Sequence, residues 1–316
     1  MRRVLTCLLA FAASVLPAPA VAQVAPGPGV RVLKSEVLAD DLFFLYSTET
    51  LTSGTPRWQR VWLGGWSQPS DVPRDRIFVG LMRDGVLLPR KVEVLALPGA
   101  LVNDPAITRV PGSLDLRMYF TALSLQDLDH ATERNTIWTA RSTDGGRTWR
   151  ELRQAIAQDN GVNACGAWSP SVLVEDRLMC VYYHGNSPCL GVYRTCFERD
   201  GETVARPTAQ LDLPFGLANV DVSRRGTGDV MVGAALGLAD FVEIRAVESD
   251  DGHTWRPLSA TDDGLLVRAD TGVVFTPHID WLGDAALVLS FTTRSSLDVL
   301  LEDDVLHRWT IQLPAE

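Results

Sequence analysis

Beyond its first two dozen residues, the sequence has no long apolar run and no stretch with a sustained helical period. The first absence excludes a membrane-spanning helix, which needs roughly 20 apolar residues. The second points away from helical architectures. Positive charge is in deficit, with a net charge of −10, so nucleic acid or an anionic membrane is a poor partner. No C-x-x-C pair and no H-E-x-x-H spacing occurs, and His130, His184, His253, His278 and His307 are dispersed. No dedicated calcium loop is visible either, so neither a metal nor another cofactor is expected. What remains is an ordinary globular composition, 46% apolar and 22% charged. At 316 residues it is long enough for two average domains, but all-β folds of this size also occur as one.

The first residues read as a targeting segment. Arg2 and Arg3 precede an apolar run from Val4 to Leu16, and Ala20-Val21-Ala22 is the small-x-small pattern before a signal-peptidase cut. Residues 1–22 are therefore expected to leave as a signal peptide, and 23–316 to form a single domain of a secreted or periplasmic protein. Thr6 before Cys7 argues against lipoprotein processing. Cys7 departs with the signal, leaving Cys165, Cys180, Cys189 and Cys196 in one short region. An oxidising compartment makes disulfides the leading reading, with three pairings open at this point.

The rest of the chain is repetitive. Ser142-Thr143-Asp144-Gly145-Gly146-Arg147-Thr148-Trp149 reads S-x-D-x-G-x-T-W, and Glu248-Ser249-Asp250-Asp251-Gly252-His253-Thr254-Trp255 reads E-x-D-x-G-x-T-W. Weaker copies are Arg83-Asp84-Gly85 and Arg199-Asp200-Gly201. In such a turn an Asp carboxylate accepts bonds from backbone amides, and Gly supplies the positive φ. A second pattern precedes each turn: a short strand, often opened by Pro, then a strand rich in aliphatic or aromatic residues. Its copies begin at Asp104-Pro105, Ser169-Pro170, Asn219-Val220 and Thr276-Pro277. A fifth copy is Leu42 to Tyr46, with Val30 to Leu38 as its first strand. Five four-stranded antiparallel meanders fill the chain, and a closed ring buries both faces of each. The expected fold is all-β, a five-bladed β-propeller. Either Val305 to Leu313 is the outer strand of the last blade, or the segment near Val30 closes the ring.

The octapeptides at 142–149 and 248–255 resemble the Asp-boxes of sialidases and related propellers, also known as BNR repeats. The five-unit count, with Asn103-Asp104-Pro105 and Trp168-Ser169-Pro170-Ser171 opening inner strands, resembles the five-bladed glycoside hydrolases of the arabinanase, fructosidase and levansucrase type. The resemblance implies structural roles for Asp144, Trp149, Asp250 and Trp255. It also implies a ligand site at the central opening, on the face where the inner strands begin. Glycoside hydrolysis needs two carboxyls flanking the bond. Asp104 matches the Asp-Pro motif, with Glu49, Asp221 and Asp280 as further catalytic candidates. The chain departs from the pattern where those enzymes often carry a Glu-Gly-Pro acid, because Trp168-Ser169-Pro170 stands there. Sialidase chemistry needs an arginine cluster, for which Arg60, Arg109 and Arg294 are candidates, but no Arg-Ile-Pro motif occurs near the start.

The stretch from Thr50 to Arg74 reads as the longest non-repeating insert and is expected on the ligand face. Its Trp58, Trp62 and Trp66, with Arg60, suit a sugar-binding surface, the alternative being a hairpin that packs its Trp rings onto the ring. Trp168, Tyr183 and His184 surround the third opening, and His278 shares a strand face with Asp280. All, with Arg294, are substrate-binding candidates. Within the third blade, Cys165 and Cys189 fall at the ligand-face end and Cys180 and Cys196 on adjacent strands. The expected bridges are therefore Cys165–Cys189 and Cys180–Cys196. The expectation is an exported, monomeric, carbohydrate-active protein, a glycoside hydrolase acting on a glycan or oligosaccharide. The alternative is a propeller that binds a glycan or protein without turnover.

Overall fold

The computed structural model describes residues 22–39, 44–51, 57–66, 75–124, 135–158, 163–185, 189–236, 241–259, 261–283, 285–295 and 304–313. Two short N-terminal strands, β1 (Val24–Pro26) and β2 (Arg31–Ala39), precede the first blade. That blade is β3 (Phe44–Thr50), β4 (Trp58–Trp66) and β5 (Arg76–Arg83), edged by β6 (Val86–Leu87) and β7 (Val92–Leu95). Blade two is β8 (Ala100–Arg109), β9 (Leu116–Ser124), β10 (Thr136–Ser142) and β11 (Arg150–Ile156). Blade three is β12 (Trp168–Glu175), β13 (Leu178–Gly185), β14 (Gly191–Phe197) and β15 (Val204–Gln210). Blade four is β16 (Leu217–Arg225), β17 (Gly228–Ala235) and β18 (Glu243–Ser249), with β19 (Arg256–Pro257) and β20 (Leu265–Ala269) outside. Blade five is β21 (Val273–Trp281), β22 (Ala286–Arg294) and β23 (Val305–Gln312). Every pairing between named strands is antiparallel, and no helix occurs among the described residues.

The inner strands β3, β8, β12, β16 and β21 touch in a closed cycle, so the sheets form a five-bladed propeller. Five apolar clusters fill the five gaps between blades, each mixing residues of two neighbouring sheets. This is what meanders with two apolar faces require, because burial of both faces supplies the main driving force.

Closure runs through the N-terminus. Strand β2 pairs with β23 from Arg31↔Gln312 to Ala39↔Leu306, and β1 pairs with β20 at the edge of blade four. The segment near Val30 is therefore the outermost strand of the last blade. Its reading as the first strand of the first blade is corrected: the inner strand there is β3. Leu33 and Val37 stay half exposed on it, as an outer strand allows.

The third-to-fourth-strand turns form an interlock. Asp144 Oδ1 accepts from the amides of Arg147 and Thr148, and its Oδ2 from the Thr148 hydroxyl at 2.7 Å. Asp251, not Asp250, does the same in blade four: Oδ1 accepts from the amides of His253 and Thr254, each at 2.7 Å. Asp250 is exposed and pairs with Arg256 instead. The second turn is one residue shorter, so it aligns as S-x-D-G-x-T-W from Ser249. In both turns a serine hydroxyl donates to the Asp (Ser142 to Asp144, Ser249 to Asp251). Those amide bonds, led by Thr148 and Thr254, hold both carboxyls well below the usual carboxylate range. Trp149 and Trp255 are buried in the gaps between blades.

Each such turn also takes a donor from the preceding blade. Arg60 Nη1 and Trp62 Nε1 donate to the Gly145 and Gly146 carbonyls, and the Tyr119 hydroxyl to Gly201. Arg194 donates to the Gly252 carbonyl and Arg308 to that of Gly85. Blade five takes its outer strand from the N-terminus and so has no such turn.

Candidate functional site at the head of the axis

All five inner strands carry a β-bulge at the same place, between Tyr46 and Thr48, Asn103 and Ala106, Trp168 and Ser171, Ala218 and Asp221, and Phe275 and His278. Asp104, Ser169, Asn219 and Thr276 take positive φ there, between 43° and 50°. Such backbone is costly for a non-glycine residue and clusters at functional sites. The extra residue re-aims the following side chains, so two rungs face the axis. Asp104, Ser169, Asn219 and Thr276 form the upper rung. Glu49, Ala106, Ser171, Asp221 and His278 form the lower one.

The upper rung is a hydrogen-bonded chain across three blades. Asn219 Nδ2 donates to Ser169 Oγ (2.8 Å), which donates to Asp104 Oδ2 (2.9 Å). The Thr121 hydroxyl also donates to Asp104 Oδ2 (3.1 Å). The Asn219 amide donates to His184 Nδ1 at 3.2 Å, and burial pulls that imidazole down to about 4, so it is neutral at pH 7.

The lower rung centres on His278. Its Nδ1 lies 3.0 Å from Asp221 Oδ2 and 4.0 Å from Glu49 Oε2, and its Nε2 lies 3.7 Å from Asp280 Oδ2. Thr50 donates its hydroxyl to Asp280 (2.8 Å), so the contact from His278 Nε2 to Thr50 Oγ1 (3.2 Å) is one the ring donates. Both ring nitrogens therefore face acceptors. Burial alone lowers the imidazole pKa, but the charges of Asp221 and Glu49 outweigh it and raise the pKa well above the ordinary value. Asp221 also accepts from the Ser171 hydroxyl and the Ile279 amide. Glu49 is pushed well above the carboxylate range, first by burial and then by Asp221 and Asp280, against the pull of His278. One ligand atom each from Glu49, Asp221 and His278 fits within 4.8 Å, a spacing a cation could use. The imidazole of His278, with Nδ1 3.0 Å from Asp221 and Nε2 on Thr50, is itself the basic group at the centre of this cluster.

Glu49, Asp104, Asp221 and His278 line one cavity of about 30 Å³ at the head of the axis, together with Pro105, Pro170 and Pro277. Below them a wider cavity of about 320 Å³ continues down the axis past Asp280 to Arg109. The structure thus brings Asp104, Glu49, Asp221, Asp280 and His278 together along the axis. Trp168 stacks on His184 (centroids 6.4 Å apart) in the third blade.

The other candidates lie elsewhere. Trp58 to Trp66 is not an insert but strand β4, where Trp58, Arg60 and Trp62 share a face. Trp62 is fully buried, Arg60 is bound to the blade-two turn, and Trp58 stacks with Arg83 near the opposite end of the propeller. Their assignment as a sugar surface is corrected, because Trp62 and Arg60 pack against blade two and Trp58, half exposed, stands away from the axial pocket. The Trp66 side chain and residues 67–74 lie outside the described residues. Tyr183 is a core side chain whose hydroxyl donates to Asn163. Arg294 forms a two-pronged pair with Asp304 over the Phe275 ring, so it is a structural cation. Cys165–Cys189 and Cys180–Cys196 are disulfide-bonded. Sequence reading missed Thr50, Thr121, Ser169, Ser171 and Asn219. Aligning the four x-Pro or x-Val positions would have put Ser169 and Asn219 beside Asp104.

No family model matches the chain, and no curated protein matches it in sequence. Solved structures do match it. Levansucrase of Bacillus subtilis superposes with a TM-score of 0.65 at 8% identity, covering 89% of this chain and 86% of the enzyme. The catalytic domain of the Coprinopsis cinerea GH62 α-L-arabinofuranosidase gives 0.62 at 10% identity, over 93% and 98% of the two chains. The GH43_1 enzyme of Xanthomonas citri gives 0.62 at 12% identity, over 88% and 91%. The fold is that of the five-bladed glycoside hydrolases. At these identities the likeness is one of fold. No helix among the described residues is long and apolar enough to cross a membrane.

Proposed function

We propose that the protein is exported and hydrolyses a glycosidic bond in a glycan held over the central opening. The observation that carries this reading is the meeting of Asp104, Glu49 and Asp221 in one axial pocket. Their environments differ, and differing environments divide carboxyls into acid and base. Burial raises the Glu49 carboxyl well above its ordinary value, which suits the proton donor to the leaving oxygen. Asp104 sits one rung nearer the mouth, oriented by the Thr121 and Ser169 hydroxyls, and suits the carboxylate that activates water. Asp221, tied to His278, positions Glu49 rather than reacting. The cavity of about 30 Å³ holds a water rather than a sugar. A sugar ring would therefore dock above it, and the Glu49 proton would pass through one water.

A second reading, glycan binding without turnover, is favoured by Ser169, Asn219 and Thr276 at the rung where Asp104 is the one carboxylate among the described residues. The test is a panel of chromogenic glycosides and polysaccharides, furanose and pyranose, between pH 5 and 8. Turnover that falls at least about a hundredfold in Asp104→Asn and Glu49→Gln supports hydrolysis. Glycan binding with no turnover on any substrate supports the second reading, and neither binding nor turnover rejects both. Export is tested by N-terminal sequencing of the protein from the culture supernatant or periplasm, which should begin at Gln23.

A further inference from the structure

A third cavity opens on blade two, at the propeller face where the inner strands begin. It encloses about 540 Å³, the size of a small-molecule site. It lies between the connection that carries Gly99, the ends of β9 and β11, and the start of β10. Trp138 is its large aromatic side chain, with Ser124, Thr136, Gln154 and Gln158 around it. No described residue lining it is charged.

Two of these groups are fixed before any ligand arrives. The Trp138 indole N–H donates to Thr136 Oγ1 at 3.0 Å, which sets the ring plane. Gln158 Nε2 donates to the Ala164 carbonyl at 2.6 Å. Gly99, at φ +74°, has nothing within 4 Å of where a Cβ would stand, so its side faces open space. We propose that this cavity is a second binding site, distinct from the axial pocket, and that it takes a neutral oligosaccharide. An indole face accepts the C–H face of a sugar, while amides and hydroxyls pair with its hydroxyls. The interleaved polar groups make it a poor site for a purely apolar ligand, and none of the described lining residues offers an acidic sugar a charged partner. The inference extends the glycan reading to a different surface and does not need the axial carboxyls to be catalytic.

The test is calorimetric titration of the exported protein with xylo-oligosaccharides and fructo-oligosaccharides, with oligogalacturonate as the charged counterpart. Trp138→Ala removes the ring. Gly99→Asn adds a side chain in open space at the cavity's lining, from a backbone conformation Asn tolerates, which keeps the test valid should Trp138→Ala misfold. Neutral-oligosaccharide affinity should weaken about tenfold or more in both variants and stay unchanged in Trp58→Ala, near the opposite end of the propeller. Oligogalacturonate should not bind. Full neutral-sugar affinity in a folded Gly99→Asn variant overturns the proposal, as does loss confined to Asp104→Asn or the absence of any neutral-sugar binding. Loss of turnover alone bears on the axial reading and leaves this one standing.

Discussion

Replacing His278 by Gln takes one positive charge out of the lower rung and leaves its carboxylates facing each other. The imidazole nitrogens lie 3.0 Å from Asp221, 3.7 Å from Asp280 and 4.0 Å from Glu49. At an effective dielectric of ~20, the attractions to Asp221 and Asp280 are about 4.5–5.5 kcal/mol each, while Glu49, with its raised carboxyl, adds little at pH 7. Desolvation offsets several kcal/mol per buried ion, and breaking a buried pair typically costs about 3–5 kcal/mol. The expected loss for His278→Gln is therefore about 3–5 kcal/mol at pH 7, read as the shift in urea midpoint with the disulfides intact. The pH dependence carries the sharper signature. His278 is raised in the folded state, so its contribution is complete below the ordinary imidazole value and is lost as pH rises through the folded one. Glu49 is raised too and acts in the same sense. The gap between wild type and variant should narrow in the alkaline range. An unchanged midpoint at pH 7, or a gap that widens with pH, would refute the axial ion cluster as a stabilising element.

Four further outcomes follow from the geometry. Gly146→Ala should cost about 2–4 kcal/mol, because the new Cβ would lie 2.4 Å from Trp62 Cζ2 at a φ of +80°; a thermal melt checks it. Asp251→Ala should lower the melting temperature while Asp250→Ala leaves it unchanged, and equal effects would reject the shortened turn alignment. Wild-type stability should also fall on acidification below the ordinary Asp range, since Asp144 and Asp251 have lowered values and their contribution disappears as they protonate. Opening the Cys165–Cys189 loop by a double Ser substitution should cost about 3 kcal/mol, and peptide mapping without reductant should return both bridges.

The turns and the Pro-opened strands made the propeller legible, because each is a local device with its own residues. Which strand closes the ring was not legible. An outer strand such as Arg31–Ala39 carries apolar residues (Val32, Leu33, Val37, Leu38) much as an inner one does, and nothing local marks its partner in β23. The Trp stretch was misread for a related reason. Three indoles near a gap in the repeat look like an insert until period two is noticed, and Trp58, Arg60 and Trp62 then fall on a single strand face whose Arg60 and Trp62 engage the neighbouring blade. At the site, Asp104 was found through its Pro. The rung to which it belongs became visible only once the bulges were superposed, since register is a property of pairs of strands.

The pairing of β2 with β23 has a consequence for biogenesis. Strand β2 must wait for β23, which is synthesised after the four other blades, so blade five stays incomplete until β23 has emerged. During that interval both ribbons present bare amide edges, the state most open to mispairing with other molecules. A circular permutant with new termini between blades, joining the old ends by a short linker, would turn this late rendezvous into a local hairpin and should refold faster and with higher yield.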